Sequence, residues 1–199
     1  MIALLSESLF MLPLLLCSLI AVAIIVHRLV SLRRGQVLPI SLVNVLESGE
    51  MAQVHTSLET DASSLGRVCR EVLAVAHPDR AAATSSAESS AREEVTKLQA
   101  GLSTLEVIIT IAPLLGLLGT VSGLVTVFSG LGGVEGKATP SGSGIARGIA
   151  EALNTTIAGL VVAVPAVIAH GYFQRKIDQL TVRMERVLHR AIERFYPAS

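Results

Sequence analysis

Long apolar stretches dominate the pattern of hydrophobic and polar positions along this chain. One nearly uninterrupted apolar run covers residues 9–26, a second covers about 105–131, and a third covers about 145–173. Each run is long enough to cross a hydrocarbon core of about 30 Å as a helix. The pattern therefore predicts an all-α integral membrane protein with three transmembrane helices.

The runs divide the chain into segments of alternating character. The first half comprises the N-terminus with the first transmembrane helix (1–30) and a cytoplasmic helical segment (31–103). The second half comprises the second transmembrane helix (104–131), a short loop (132–144), the third transmembrane helix (145–173) and an amphipathic C-terminal helix (174–199). The loop is rich in Gly, Ser and Pro, which mark a turn. Two long apolar helices joined so tightly are predicted to form an antiparallel hairpin.

The polar segment before the hairpin reads as a series of helices. Stops are expected at Gly49, Asp61 and just before Pro78. Over residues 90–131, Pro113 is the sole expected helix stop. We therefore expect a long cytoplasmic helix that continues into the second transmembrane helix.

The C-terminal segment predicts one amphipathic helix. Its apolar face comprises Ile177, Leu180, Met184, Val187, Leu188, Ala191 and Phe195. A basic stripe adjoins that face and comprises Arg183, Arg186, Arg190 and Arg194. The stripe is either a solvated flank of a packed helix or a site for anionic lipid headgroups.

Charge placement predicts the orientation, although the 16 Lys and Arg balance the 16 Asp and Glu. Eight basic residues lie within residues 28–97 and six within 175–194, while only Lys137 and Arg147 lie near the hairpin turn. This distribution, fourteen basic residues against two, predicts that residues 31–103 and the C-terminal segment are cytoplasmic and that the N-terminus is on the outer side. A cleaved signal peptide is the competing interpretation of the first run, but no Lys or Arg precedes that run.

Composition argues against several other classes. A zero net charge argues against a nucleic-acid partner, and 51% hydrophobic residues exclude disorder. Cys17 and Cys69 lie in an apolar run and a polar segment, so a disulfide between them is not expected. The histidines stand apart from one another and from the cysteines, and no catalytic triad or phosphate loop is recognisable. We expect no metal, no cofactor and no enzymatic activity.

Polar and small residues interrupt the second apolar run. Gly119 and Gly123 form a GxxxG pair, a spacing that lets helix backbones approach closely in lipid. On a helical wheel, Glu106, Pro113 and Thr120 fall within about 40° of one another. One face thus carries a carboxylate, a backbone break and a mid-membrane hydroxyl, although a lone intramembrane threonine often bonds its own helix backbone.

The third apolar run carries a carboxylate of its own. Glu151 lies inside the apolar stretch, where an unpaired charge is costly, and Arg147 at i−4 could pair with it. Asn154 and Thr155 lie near the face of Glu151, while Thr156 shares a face with small residues. Two helices therefore bring hydroxyls to mid-membrane with a carboxylate near either end, as a proton or cation path requires. No central residue titrates, so a central carboxylate has to come from a second polypeptide.

These two runs resemble the signatures of the MotA/TolQ/ExbB proton-channel family. The stretches that carry the resemblance are APLLGLLGTVSGL at residues 112–124, IARGIAEALNTTIAGL at 145–160 and VPAVIA at 164–169. A short N-terminus and three transmembrane helices are similar to the ExbB members first and the TolQ members second. The resemblance extends over roughly residues 104–175.

The resemblance implies a homopentameric ring in a bacterial inner membrane, with a pore lined by the second and third transmembrane helices. An ExbD-like partner would place its single helix, with a membrane aspartate, inside that pore. A TonB-like protein would pass the work to outer-membrane transporters. Thr120, Thr156 and Glu151 match the family's pore residues by position, and protons are the transported ion.

Further residues enter the expected site on weaker grounds. Asn154 and Thr155 are expected to make the lining more polar, and Glu106 is placed near the cytoplasmic mouth by the helical wheel alone. The residues expected at close helix contacts are Gly116, Gly119, Gly123, Gly159, Pro113 and Pro165. A TolQ-like role in the Tol-Pal envelope system and a passive membrane scaffold remain the alternatives.

Overall fold

The protein is described by a computed structural model over residues 10–32, 34–49, 51–74, 79–132 and 142–196. Within these ranges every regular element is an α-helix. In chain order the helices are α1 (Met11–Ser31), α2 (Arg34–Val37), α3 (Ile40–Ser48), α4 (Met51–Thr60), α5 (Ser64–Ala74), α6 (Arg80–Gln99), α7 (Leu102–Gly132) and α8 (Gly142–Phe195).

Three helical stretches are long and apolar enough to cross a membrane, which confirms the three predicted spans. They are Met11–Ser31, Arg80–Ser129 and Gly142–Phe195. In the second stretch the apolar part is α7, because α6 carries charged residues on almost every turn. The chain forms two compact units: Met1–Val26 with Gly101–Gly171, and His27–Ala100 with Tyr172–Ser199.

The first unit packs α1, α7 and the N-terminal part of α8 around a small apolar core. Its fully buried members are Leu14, Ala21, Leu105, Ile108, Ala112, Ala163 and Ala166. Many larger apolar side chains of these helices point outward, such as Leu19 and Ile168, each 69% exposed. An apolar exterior of this kind is the surface that a bilayer requires.

The helices α7 and α8 pack as an antiparallel pair. Ala112 lies against Gly159, Gly116 against Thr156, and Gly123 against Ala152. As residue numbers rise along α7 they fall along α8, which is the hairpin geometry that the sequence predicts.

The second unit has an aliphatic core. Leu65, Val68 and Val54 are fully buried, as are Ile177 and Met184 on the predicted apolar face of the C-terminal segment. Ion pairs join its helices, among them Arg67 with Glu94 at 2.6 Å and Arg80 with Glu193 at 2.6 Å.

Helix boundaries agree with some predicted stops and differ from others. Helix α3 ends just before Gly49, whose φ of 79° suits a glycine, and α4 ends just before Asp61. The predicted stop before Pro78 lies outside the described residues, as do most of the loop residues 132–144. No boundary separates the third span from the C-terminal amphipathic segment, since α8 runs through both.

The long helix expected over residues 90–131 is interrupted once. Helix α6 ends at Gln99 and α7 begins at Leu102. Between them Gly101 has a φ of 80°, and the amide of Ala100 bonds back to the carbonyl of Lys97 at 3.3 Å. The sequence analysis passed over Gly101 as a stop, although a glycine with this left-handed backbone commonly ends a helix. Pro113, the stop that the sequence did suggest, lies inside α7.

Candidate functional site

Three threonine hydroxyls lie together where α7 meets α8. The Thr120 and Thr156 hydroxyls are in direct hydrogen-bond contact across the hairpin. Thr120 Oγ1 also lies 3.2 Å from the carbonyl of Gly116 on its own helix and 3.2 Å from that of Ala152 on the other helix. Thr120 therefore bonds its own helix backbone, as a lone intramembrane threonine often does, and it also bonds the neighbouring helix.

Two backbone carbonyls serve the whole cluster. The carbonyl oxygen of Gly116 lies 3.1 Å from the hydroxyl of Thr155 and 3.1 Å from that of Thr156. The carbonyl oxygen of Ala152 accepts from Thr155 at 2.7 Å. Each threonine has one hydroxyl proton, so Thr120, with three acceptors in reach, can reorient its proton among them.

Glycines make this approach possible. A Cβ added to Gly119 would lie 2.5 Å from Thr155 Oγ1, and one added to Gly116 would lie 2.8 Å from the Thr155 carbonyl oxygen. A Cβ on Gly159 would lie 2.5 Å from the Ala112 carbonyl oxygen. The contacts of Gly116 and Gly159 involve backbone atoms, so a larger residue at either position would separate the helices. The structure thus places the expected packing glycines along one line of contact, with Gly123 against Ala152 at its end.

The two prolines do not end their helices. Pro113 lies inside α7 and Pro165 inside α8. Proline lacks an N–H, so each leaves one carbonyl of the preceding turn without its intrahelical donor. Pro113 is half-buried, one turn before Gly116, whereas Pro165 is exposed.

Glu151 lies one turn from the cluster and is paired within its own helix. Arg147 Nε donates to Glu151 Oε1 at 2.9 Å, with the two side chains 79% and 52% exposed. The i−4 partner that the sequence offered is therefore the one found. This ion pair neutralises the carboxylate on the surface of the first unit.

The structure separates two residues that the wheel placed together. Thr155 is buried in the α7–α8 contact, whereas Asn154 is exposed on the outer surface of α8. Thr155 therefore belongs to the threonine cluster, and Asn154 lies with Glu151 outside it.

Glu106 is not brought to the cluster. It is exposed near the start of α7, and its backbone carbonyl accepts from the Thr110 hydroxyl at 3.2 Å. Fourteen residues of helix separate Glu106 from Thr120, a rise of about 21 Å.

The arginine stripe on α8 divides into two pairs. Arg190 bonds the Glu47 carboxylate at 3.2 Å, and Arg194 bonds the Glu47 backbone carbonyl. Arg183 and Arg186 have no ion-pair or hydrogen-bond partner among the described residues and border an apolar groove that includes Leu38 and Val43. A solvated, packed flank therefore describes Arg190 and Arg194, while Arg183 and Arg186 are available to a ligand.

Titratable groups in the second unit are perturbed by their surroundings. Burial, and secondarily the charge of Asp61, raises the pKa of the Cys69 thiol to about 12. Burial alone would raise the pKa of Glu94, but hydrogen bonds from Arg67 and Lys97 outweigh it, and the pKa is lowered. The hydrogen bond to Glu94 in turn raises the pKa of Arg67. Arg67, Glu94 and Lys97 thus form a structural ion-pair network in the second unit, and Cys69 lies outside that network.

Sequence reasoning missed the acceptors of the cluster. The Gly116 and Ala152 carbonyls belong to the backbone, so no residue type marks them. The available signal was spacing, since Gly116 and Thr120 are four residues apart, as required for a threonine to bond its own helix.

Comparison with known proteins gives one consistent result. Residues 52–186 match the MotA/TolQ/ExbB proton channel family. The ExbB-like 3 biopolymer transport protein of Synechocystis is 31% identical over 166 residues, covering 81% of this chain and 79% of the relative. The exbB1 biopolymer transport protein of Vibrio cholerae is 39% identical over 98 residues, covering 49% and 42%. The Tol-Pal system protein TolQ of Pseudomonas aeruginosa is 38% identical over 108 residues, covering 51% and 45%. The matched stretch is thus less than half the length of the last two relatives.

Proposed function

Since this chain belongs to the MotA/TolQ/ExbB proton channel family, we propose that it is an ExbB-like subunit of a proton-driven motor in a bacterial inner membrane. Its polar segments lie in the cytoplasm, its N-terminus is periplasmic, and five copies form a ring. It performs no enzymatic chemistry and needs no cofactor. The identity with exbB1, together with the family match, supports this reading.

The observation that carries the proposal is the contact between the Thr120 and Thr156 hydroxyls, which joins the two membrane-spanning helices of the hairpin. A chain of hydroxyls and carbonyls gives a migrating proton polar stations in hydrocarbon. A hydroxyl both accepts and donates a hydrogen bond, so either Thr120 or Thr156 can be the donor in the bond that joins the two helices. Glu151 supplies negative charge toward the periplasmic end, where Arg147 balances it.

Threonines cannot hold a proton as a charged intermediate near neutral pH. The cluster therefore requires a titrating partner, and we assign that role to an ExbD-like single-span protein with a membrane aspartate. Proton transfer through that aspartate would drive the motion that a TonB-like protein delivers to the outer membrane. Glu106 is proposed to act near the cytoplasmic exit, away from the cluster.

We propose that two of the four arginines in the stripe, Arg183 and Arg186, bind anionic lipid. Arg183 and Arg186 stand free of ion-pair partners in the described residues beside the apolar groove, which suits a phosphate headgroup with its acyl chain. Arg190 and Arg194 are held by Glu47 and contribute positive potential only.

The experiment is potential-driven proton flux in vesicles containing the complex that copurifies in mild detergent. Thr156→Val and Glu151→Ala are each expected to abolish coupled work while the oligomer stays assembled, and Glu106→Gln is expected to slow proton exit. Thr126→Val is the matched control, because the Thr126 hydroxyl bonds only its own helix, at the Ser122 carbonyl. Full activity with both Thr156 and Glu151 replaced would remove these residues from the proton path.

The same preparation distinguishes the alternatives. A TolQ-like role predicts copurification of Tol-system components in place of a TonB-like protein. A passive scaffold predicts an intact oligomer with bound partner and no potential-dependent flux. The relative from Pseudomonas aeruginosa makes the TolQ-like role the second candidate.

A further inference from the structure

Nine polar side chains lie along the membrane-spanning hairpin between residues 110 and 129 of α7 and between 151 and 156 of α8. They are Thr110, Thr120, Ser122, Thr126, Ser129, Glu151, Asn154, Thr155 and Thr156. Seven of them have a hydrogen-bond partner. Within this part of the described chain, Ser122 and Asn154 are the two whose side chains have none.

The other exposed hydroxyls of α7 bond their own helix. Thr110 Oγ1 bonds the carbonyl four residues back at 3.2 Å, and Thr126 Oγ1 does the same at 3.0 Å. Such side chains can face lipid with little penalty. An asparagine amide has two donors and one acceptor, and an unsatisfied polar group in hydrocarbon costs several kcal/mol. Asn154 therefore needs a partner that this chain alone does not supply.

Asn154 has the paired carboxylate of Glu151 one turn before it and apolar side chains elsewhere around it. Its neighbours on the exposed surface of α8 include Leu153 at 52% exposure, Ile157 at 57% and Val161 at 64%. Leucine, isoleucine and valine side chains are stable in contact with lipid or with another apolar helix. The position therefore favours a helix–helix contact over a water-filled cavity.

Ser122 and Asn154 face away from the contact between their own helices. Ser122 comes two residues after Thr120, and Asn154 comes two residues before Thr156. Two residues turn a helix by about 200°, so each side chain points roughly opposite to the paired threonines. Within one copy of the chain, these two side chains therefore cannot meet.

Both side chains nevertheless lie at nearly the same depth in the membrane. The contacts of Gly123 with Ala152 and of Gly119 with Thr155 set the register of the hairpin. Asn154 is thus level with the turn of α7 between Gly119 and Gly123, and Ser122 belongs to that turn. The difference in level is less than one helical turn, or about 5 Å.

Copies inserted with the same orientation are related by rotation about the membrane normal, which preserves depth. A rotation of this kind joins two different faces of the protein and can close a ring. We propose that Asn154 of one copy hydrogen-bonds Ser122 of the next copy, so that the exposed face of α8 packs on the exposed face of α7. The inference rests on the homo-oligomer of the proposed function and not on proton conduction.

The test is cysteine cross-linking between two differently tagged chains expressed together. Cys17→Ala and Cys69→Ala remove the native thiols from both chains. One chain then carries Asn154→Cys and the other carries Ser122→Cys. Iodine oxidation in membranes is expected to give the mixed dimer at least several-fold above either same-site dimer. Leu153→Cys with Ser122→Cys is the matched control, because residue 153 is also exposed but lies 100° away around α8.

Three results would overturn the inference. They are same-site dimers of Asn154→Cys equal to the mixed dimer, rapid labelling of Asn154→Cys by a charged membrane-impermeant maleimide, and capture of Asn154→Cys by a copurifying single-span partner alone. Cross-linking needs no proton gradient, so it can succeed in a preparation that conducts no protons. Failure of the interface and failure of the proposed motor are thereby distinguished.

Asn154→Leu provides a second measurement that does not depend on cysteine chemistry. It is expected to lower the fraction of oligomer that survives mild detergent, while Asn154→Gln, which keeps the amide, retains a larger fraction. An unchanged oligomer fraction in Asn154→Leu would contradict the proposed hydrogen bond.

Discussion

The two units of this chain solve the same packing problem with different residues. In the first unit, α7 and α8 approach through glycines, with Gly159 directly against the Ala112 backbone and hydroxyls bonded across the gap. In the second unit, large aliphatic side chains such as Leu65 and Met184 fill the interior, and ion pairs join the helices around them.

The difference follows from the solvent that each unit is built for. In lipid, burying leucine against another helix gains little, because the bilayer is as apolar as the protein. Close backbone approach and interhelical hydrogen bonds remain as sources of attraction. In water, removal of apolar area is the dominant stabilising effect, so a large aliphatic core is the effective solution. Four substitutions test this contrast.

Gly159→Val is expected to have the largest effect. A side chain at this position meets a backbone carbonyl that cannot move without separating α7 from α8. The cost is about 3 kcal/mol or more, at the upper end for overpacking. The measurement is the fraction of protein that is still monodisperse after heating in detergent, which is expected to fall. Gly171→Val is the control, since a Cβ there meets nothing within 4 Å; equal loss in both variants would contradict the prediction.

Leu65→Ala tests the aliphatic core and is expected to cost roughly 2–5 kcal/mol through the cavity that it leaves. Cys69, one turn later on α5, reports the unfolding of this unit because burial holds its thiol pKa at about 12. In a Cys17→Ala background, the rate of thiol labelling at pH 8 in mild urea is expected to rise. Exposed Leu19→Ala in the first unit leaves that rate unchanged.

Glu94→Gln is expected to destabilise the second unit by about 1–3 kcal/mol, because Arg67 loses a charged partner that is itself buried. The pKa of Glu94 is lowered on folding, so its stabilising effect is present above its ordinary value of 4.5 and is lost as pH falls through the lower folded value. Urea unfolding between pH 7 and pH 3 is therefore expected to be less pH-dependent in the variant. An unaltered pH dependence would show that another group controls acid unfolding.

Thr155→Val is expected to have the smallest effect. It keeps the shape of the side chain and removes one hydroxyl that bonds the Gly116 and Ala152 carbonyls. Interhelical hydrogen bonds in membranes contribute on average about 0.6 kcal/mol. A small drop in the temperature of detergent-solubilised unfolding is the expected result, with Thr126→Val unchanged. A loss as large as that of Gly159→Val would mean that hydroxyls, rather than backbone approach, hold the hairpin together.

The three spans and the hairpin could be predicted because apolar length and a Gly-rich turn are local properties of the sequence. Periodicity alone also identified the buried face containing Ile177 and Met184. The break at Gly101 was missed because a glycine can adopt either a helical or a left-handed backbone, and the surrounding structure determines which of the two it adopts. A wheel gives angles but not the partner helix, so it grouped Thr155 with Asn154 although α7 buries only the first.

The candidate site shows the same division. Thr120 and Thr156 could be singled out as polar groups in apolar runs, but their shared acceptors are carbonyls that the sequence does not display. The division of the arginine stripe depends on Glu47, which is distant along the chain and carries no sign of its role.

The threonine cluster has more acceptors in reach than protons to donate. Three hydroxyl protons share the Gly116 and Ala152 carbonyls and one another's oxygens, so several donor arrangements satisfy the same atoms. Because several donor arrangements are available, the cluster can change from one to another while hydrogen bonds between the two helices remain in place. The hairpin is thereby able to stay closed while the direction of hydrogen bonding through its centre reverses.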